Sequence, residues 1–196
     1  MVSIIITNYN YMKNIKENKI NKYIPIFYLV VMGFISFTFH QVGDYGVETD
    51  FYWSYTSLTI DEYRPIGYQV VLAVVKFITQ EDYFHAGQLI NLISATLILF
   101  LISKMMKERM ALFIMLFLMT NVWFLKYTYS CGTDMLFFLF WLTTIYYFLK
   151  NRLFLCGIFM GLSCLTRYTG LSLLIIPLIL LFERKTIKRN KKSEKH

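Results

Sequence analysis

Apolar residues in this chain come in long blocks separated by short charged or polar stretches. The first block, Tyr23 to Phe39 (YIPIFYLVVMGFISFTF), carries Pro25 near its start, where a helix tolerates proline. A polar connection follows from His40 to about Arg64. Next comes Pro65 to Ile78, whose apolar part of about a dozen residues is too short to span a bilayer and suits an interfacial or re-entrant helix. Ala86–Met106, Met110–Leu125 and Met135–Leu149 read as a second, third and fourth span. Leu153–Leu165 and Leu171–Phe182 form a short fifth and sixth, parted by Thr166-Arg167-Tyr168-Thr169-Gly170. Such a hairpin is allowed only where protein or a cavity covers the freed backbone. The pattern predicts an all-α integral membrane protein of about six transmembrane helices, with an outer first loop carrying short interfacial helices.

Composition agrees with that class. The chain is 57% apolar and only 16% charged, against roughly 25% charged residues in soluble domains. Its 18 Phe and 15 Tyr supply bulky rings, of which Tyr favours the membrane interface. The three cysteines, Cys131, Cys156 and Cys164, show no ligand spacing and read as small buried hydrophobes. His40, His85 and His196 form no zinc-like cluster, and no P-loop, dinucleotide fingerprint or Ser/His/Asp motif is visible.

Charge orients the spans. Sixteen of the 20 Lys and Arg residues fall on segments that an N-in bundle places inside, among them Lys22, Lys104, Lys107, Arg109, Lys150 and Arg152. Eight of the 12 acids fall outside: Asp44, Glu48, Asp50, Asp61, Glu62, Glu81, Asp82 and Asp134. The positive-inside rule gives N-in and C-in, and the expected location is the plasma (inner) membrane. The resulting division is a basic cytoplasmic tail at 1–22, a membrane domain at 23–182 with its outer loop at 40–84, and a second basic tail at 183–196. The last tail (ERKTIKRNKKSEKH) lacks the aromatic residues that stack bases, so it reads as a topology anchor or anionic-lipid contact and not as a nucleic-acid patch.

The outer face holds the candidate chemistry. Its loop runs Gly43-Asp44-Tyr45-Gly46-Val47-Glu48-Thr49-Asp50-Phe51-Tyr52-Trp53, and later Asp61-Glu62-Tyr63-Arg64-Pro65-Ile66-Gly67-Tyr68. Gln88-Leu89-Ile90-Asn91, Thr133-Asp134-Met135-Leu136-Phe137-Phe138 and Gly161-Leu162-Ser163-Cys164-Leu165-Thr166-Arg167-Tyr168-Thr169-Gly170 follow. In order and spacing, from about residue 24 to 182, this resembles the N-terminal half of the GT-C-type, polyprenyl-phosphate-sugar-dependent glycosyltransferases. The protein O-mannosyltransferases and lipid A aminoarabinose transferases are members.

The resemblance implies sugar transfer from a lipid-linked donor to an acceptor hydroxyl on the outer or lumenal face, with inversion. In the family a first-loop Asp is the catalytic base, ahead of the Pro-Gly-Tyr element. Asp50 matches that place best, although Phe51 stands where many members have Glu. Asp61 and Glu62 are rivals that lie closer to Pro65 than the family's spacing, and Asp44 ranks behind them. A carboxylate within hydrogen-bond reach can take the acceptor's proton as it attacks, from the face opposite the leaving group. The departing lipid phosphate needs a cation or a divalent metal ion. Arg167 is the first candidate for that charge, against the alternative of an arginine snorkelling from a span end. Arg64 and Lys126 come next. Asp134 is a candidate for substrate or metal contact, and equally a helix-capping carboxylate.

Two other readings stand beside the enzyme. Family members are normally several times longer in their membrane part, so a truncated or non-catalytic subunit, completed by a second chain, fits the same motifs. A small transporter fits less well, because no internal repeat is evident and the spans lack ionisable residues along a path.

Overall fold

A computed structural model of the chain describes residues 19–38 and 65–175. Among the described residues the regular structure is entirely helical. The helices are α1 (Lys19–Thr38), α2 (Gly67–Thr79), α3 (Tyr83–Met105), α4 (Glu108–Thr120), α5 (Val122–Tyr129), α6 (Asp134–Leu149) and α7 (Leu153–Thr166), followed by a 3-10 turn, Tyr168–Leu174.

Helix α3 is the central element. Its small residues Ala86, Gly87, Ser94 and Ala95 are all buried and let neighbouring backbones approach closely, as apolar bundles require. Ile90, Ile98, Leu99 and Ile102 fill the remaining core positions against α1, α2, α4, α5 and α6. Its start is fixed by Asp82, whose carboxylate accepts from the His85 backbone N–H at 2.8 Å, satisfying one of the orphan donors of a first turn.

The third apolar block departs from the expected single span. It breaks at Asn121, and α4 and α5 meet at 66°. Asn121 causes the restart: its Oδ1 accepts from the backbone N–H groups of Trp123 and Phe124 at 3.0 and 3.1 Å, an N-cap placed inside an apolar run. The bent piece is tied to α1. Thr128 donates its only hydroxyl proton to the Phe124 carbonyl at 2.8 Å, so the Tyr28 hydroxyl must be the donor in the 2.9 Å bond between them.

By length and composition α3 is the one described helix able to cross a membrane alone, with the α4–α5 pair as a second, broken crossing. Helices α1, α2, α6 and α7 contain shorter apolar segments. The sequence led to about six spans, and the last of them begins as the 3-10 turn Tyr168–Leu174, not as an α-helix at Leu171. Residues 176–182 of that span lie outside the described residues, as do the tails at 1–18 and 183–196 and the loop at 39–64. The bundle surface is nonetheless apolar. Phe27, Phe34, Phe77, Phe113 and Phe154 are each exposed, far more outward aromatic surface than a protein facing water carries.

Two ends of the bundle are distinguishable. Asn21, near the start of α1, donates to the Glu108 carbonyl at the start of α4 at 3.0 Å. The Lys22, Lys104, Lys107 and Arg109 segments therefore meet at one end. Helices α6 and α7 form an antiparallel hairpin sealed by Phe140, Phe159 and Tyr147, with Phe159 stacked on Tyr147 at 5.4 Å. Its tight turn uses Asn151 at φ 56°, a left-handed conformation that asparagine tolerates. Lys150 and Arg152 in that turn lie one helix length from the opposite end, where α6 starts and α7 stops.

Candidate functional site

At that opposite end, four sequence motifs distant along the chain come together. Helix α5 stops at Ser130, whose N–H closes on the Lys126 carbonyl at 3.0 Å. Three residues later the Thr133 carbonyl accepts from Phe137 N at 2.9 Å and opens α6. Asp134 thus sits in the first turn of α6, where a carboxylate gains from the helix dipole.

Arg167 follows the last residue of α7. Its backbone is extended (φ −150°, ψ 139°), so the chain leaves the helix axis there. The Thr166 hydroxyl donates back to the Ser163 carbonyl at 2.8 Å, and Arg167 N bonds the same carbonyl at 3.0 Å. Gly170 N then bonds the Arg167 carbonyl at 2.9 Å. A Cβ on Gly170 would stand 2.7 Å from the backbone of Ser163 and Cys164, so only glycine lets the turn fold this tightly onto α7. The result aims Arg167 across the hairpin: its Nη1 donates to Asp134 Oδ1 as a side-chain ion pair. Each side chain is about one-third exposed.

The Pro65–Tyr68 element locks onto the same junction. A Cβ on Gly67 would lie 2.3 Å from the Leu165 carbonyl oxygen, so the start of α2 rests directly on the backbone beside Thr166-Arg167. Tyr68 is fully buried, with its hydroxyl 3.6 Å from Cys131 Sγ. Cys131 in turn packs where a Cβ on Gly87 would stand, 2.2 Å away. On α3, Gln88 Nε2 donates to the Tyr129 carbonyl at 2.7 Å. Asn91 Nδ2 donates to the Tyr127 and Ser130 carbonyls at 3.1 and 2.6 Å. These amides satisfy the end carbonyls of α5, which have no water to turn to in an apolar setting.

The candidate residues named from the sequence divide accordingly. Asp134 and Arg167 are brought together. Lys126 projects from the exposed face of α5 with its ammonium 5.5 Å from the Trp123 ring centre, a cation–aromatic contact suited to a membrane surface. Asp50, Asp61, Glu62 and Arg64, with Asp44 and Glu48, lie outside the described residues. Among the described residues no three His, Cys, Asp or Glu side chains converge to hold a metal ion. Asp134, the carboxylate at the junction, is engaged by Arg167. Gln88 and Asn91 stand in the sequence motif Gln88-Leu89-Ile90-Asn91 without an evident task. Their signal was two amides one helical turn apart inside an otherwise apolar span.

The family model of dolichyl-phosphate-mannose-protein mannosyltransferases matches residues 67–194, well over half of the chain. The chain belongs to that family. The match opens on the Gly67 that rests on Leu165 and takes in Gln88, Asn91, Asp134 and Arg167, whereas the acidic first loop precedes it. Membership makes this a membrane-associated glycosyltransferase family chain of GT-C type, as its resemblance implied. No curated protein and no solved structure gives a significant match.

Proposed function

We propose that the chain takes part in inverting sugar transfer from a polyprenyl-phosphate donor to an acceptor hydroxyl at the outer face of the membrane. The Asp134–Arg167 pair carries this reading. It gathers the family-matched segments at one end of the bundle and leaves a guanidinium there, away from the Lys and Arg residues of the opposite end. If those basic turns are cytoplasmic, the pair faces the outer side.

The reaction asks for two things. The acceptor oxygen forms a bond to the anomeric carbon while the bond from that carbon to the phosphate oxygen breaks, and its electron pair leaves with the phosphate. The acceptor's proton goes to a carboxylate, for which Asp50 is the first choice and Asp61 and Glu62 the rivals. The leaving phosphate gains negative charge, which Arg167 is placed to meet with its free N–H groups while Asp134 fixes its direction. Arg64, just ahead of the α2 element, is a second cation for the same phosphate. A divalent ion would need first-loop carboxylates as ligands, and no step here depends on one.

The test is transfer in membranes whose activity depends on this chain. Asp50→Asn should abolish transfer while leaving donor binding intact. Unchanged transfer in that variant removes Asp50 as base. Absence of any chain-dependent transfer favours a non-catalytic subunit.

A further inference from the structure

We infer that Asn91 is a positioning residue for the Asp134–Arg167 pair, acting through the segment that joins α5 to α6. This rests on the reading of Arg167 as the phosphate-binding group. Asn91 is 1% exposed and spends its Nδ2 group on two carbonyls, Tyr127 and Ser130. Its Oδ1 has no hydrogen-bond partner. A buried acceptor without a partner loses its hydration and gains nothing in return, so an aliphatic residue would serve a merely packed position better. The amide therefore gains its place from what its donors hold.

What they hold is the stop of α5. The 2.6 Å bond falls on Ser130, four residues before Asp134. Between them Cys131 is pressed against Gly87, one turn earlier on the same helix, and Thr133 is buried. The segment has no length to absorb an error: a displacement of Ser130 passes into the first turn of α6 and so to Asp134 Oδ1. Arg167 comes from an extended residue beyond the end of its helix, and its direction is set by that carboxylate. Donor geometry tolerates little drift, since misplacement by about 1 Å can cost on the order of a hundred-fold in rate.

The chain supplies its own control. Asn21 is also buried, also donates Nδ2 to a carbonyl (Glu108), and also has an unpartnered Oδ1, but at the opposite end of the bundle. The experiment measures affinity of the purified full chain in nanodiscs for polyprenyl phosphate, alongside thermal unfolding, in Asn91→Ala, Asn21→Ala, Arg167→Gln and the Asn91→Ala/Arg167→Gln double variant. Both Asn variants should unfold at lower temperature. Asn91→Ala should weaken binding about ten-fold and Asn21→Ala less than two-fold. In the Arg167→Gln background, Asn91→Ala should add less than two-fold, because the group it positions is already gone. A full ten-fold loss in that background, or equal losses for the two asparagines, overturns the proposal and leaves Asn91 as a structural cap. If Arg167→Gln itself leaves binding unchanged, the phosphate role of Arg167 fails, and the proposal with it. Should Asn91→Ala not fold, Asn91→Ser gives the same comparison, since its single short donor cannot hold both carbonyls.

Discussion

Arg167 reaches from the end of one helix to Asp134 at the start of the preceding one, closing the α6–α7 hairpin at the end opposite its turn. The two residues are 33 apart in sequence and come from separate motifs. Exposed ion pairs contribute little to stability, and this pair is one-third exposed. Its consequence is direction: a planar, permanently charged group is held in one orientation at a family-matched junction.

The pair should therefore matter more to transfer than to folding. Arg167→Gln or Asp134→Asn is expected to lower transfer by about a hundred-fold, with thermal unfolding in detergent nearly unchanged. Arg167→Lys should retain only part of the rate, because an ammonium cannot serve carboxylate and phosphate with a planar fork. The charge-swapped Asp134→Arg/Arg167→Asp variant should fold and remain inactive. Recovery of transfer in the swap would show that the pair is a structural clasp.

Two glycines should respond in opposite ways to a single methyl group. Gly67→Ala drives a Cβ into the Leu165 carbonyl oxygen, and neither backbone can yield without separating α2 from α7. A loss of about 1–3 kcal/mol is expected, as for other overpacked sites. Gly157, inside α7, has nothing within 4 Å of the same methyl. Gly157→Ala should raise stability by about 0.5–1 kcal/mol, the helix-propensity difference. Thermal unfolding of the two variants checks both signs.

Two side-chain caps, Asp82 and Asn121, predict different pH behaviour. Replacing either by Ala should cost about 1 kcal/mol. Partial burial raises the Asp82 pKa, but hydrogen bonds from the His85 backbone and ring, its charge, and the Phe84 backbone outweigh it, so the carboxyl titrates below the ordinary aspartate value. A lowered folded pKa means the contribution is complete above the ordinary aspartate value. It is lost as pH falls from there through the folded value. The carboxylate is 64% exposed, so solvent screening keeps the charge part small. Chemical unfolding across acidic pH should show the Asp82→Ala deficit fading below pH 3.8, while the Asn121→Ala deficit, from a group that does not titrate, persists.

The tie between α1 and the bent span is weak by the same standard. Tyr28→Phe removes a donor and leaves the Thr128 proton on Phe124. About 0.6 kcal/mol is expected, the usual value for interhelical bonds in apolar bundles. Coupling with Thr128→Val in a double-mutant cycle measures it.

Much of the architecture was legible in the sequence because apolar periodicity and charge are local properties. The expected blocks at Ala86, Met135 and Leu153 became α3, α6 and α7 to within a few residues. The short helix after Pro65 is α2, ending at Thr79 as its dozen apolar residues implied. The break at Asn121 was missed because hydropathy averages over one asparagine, whereas its side chain competes directly for two backbone donors. The 3-10 start of the last block was missed for a similar reason: Gly170 permits a backbone approach that apolar counting does not register.

By itself, the sequence determined an apolar helical chain, its charge polarity, and Asp134 and Arg167 as groups worth attention. Those follow from residue type and from neighbours a few positions away. Tertiary structure alone decided that Asp134 and Arg167 are partners, that Gly67 abuts Leu165, and that Asn91 holds the end of α5. Each depends on where two helices end relative to one another. That is set by close packing around Gly87, Cys131 and Tyr68, which no local pattern encodes.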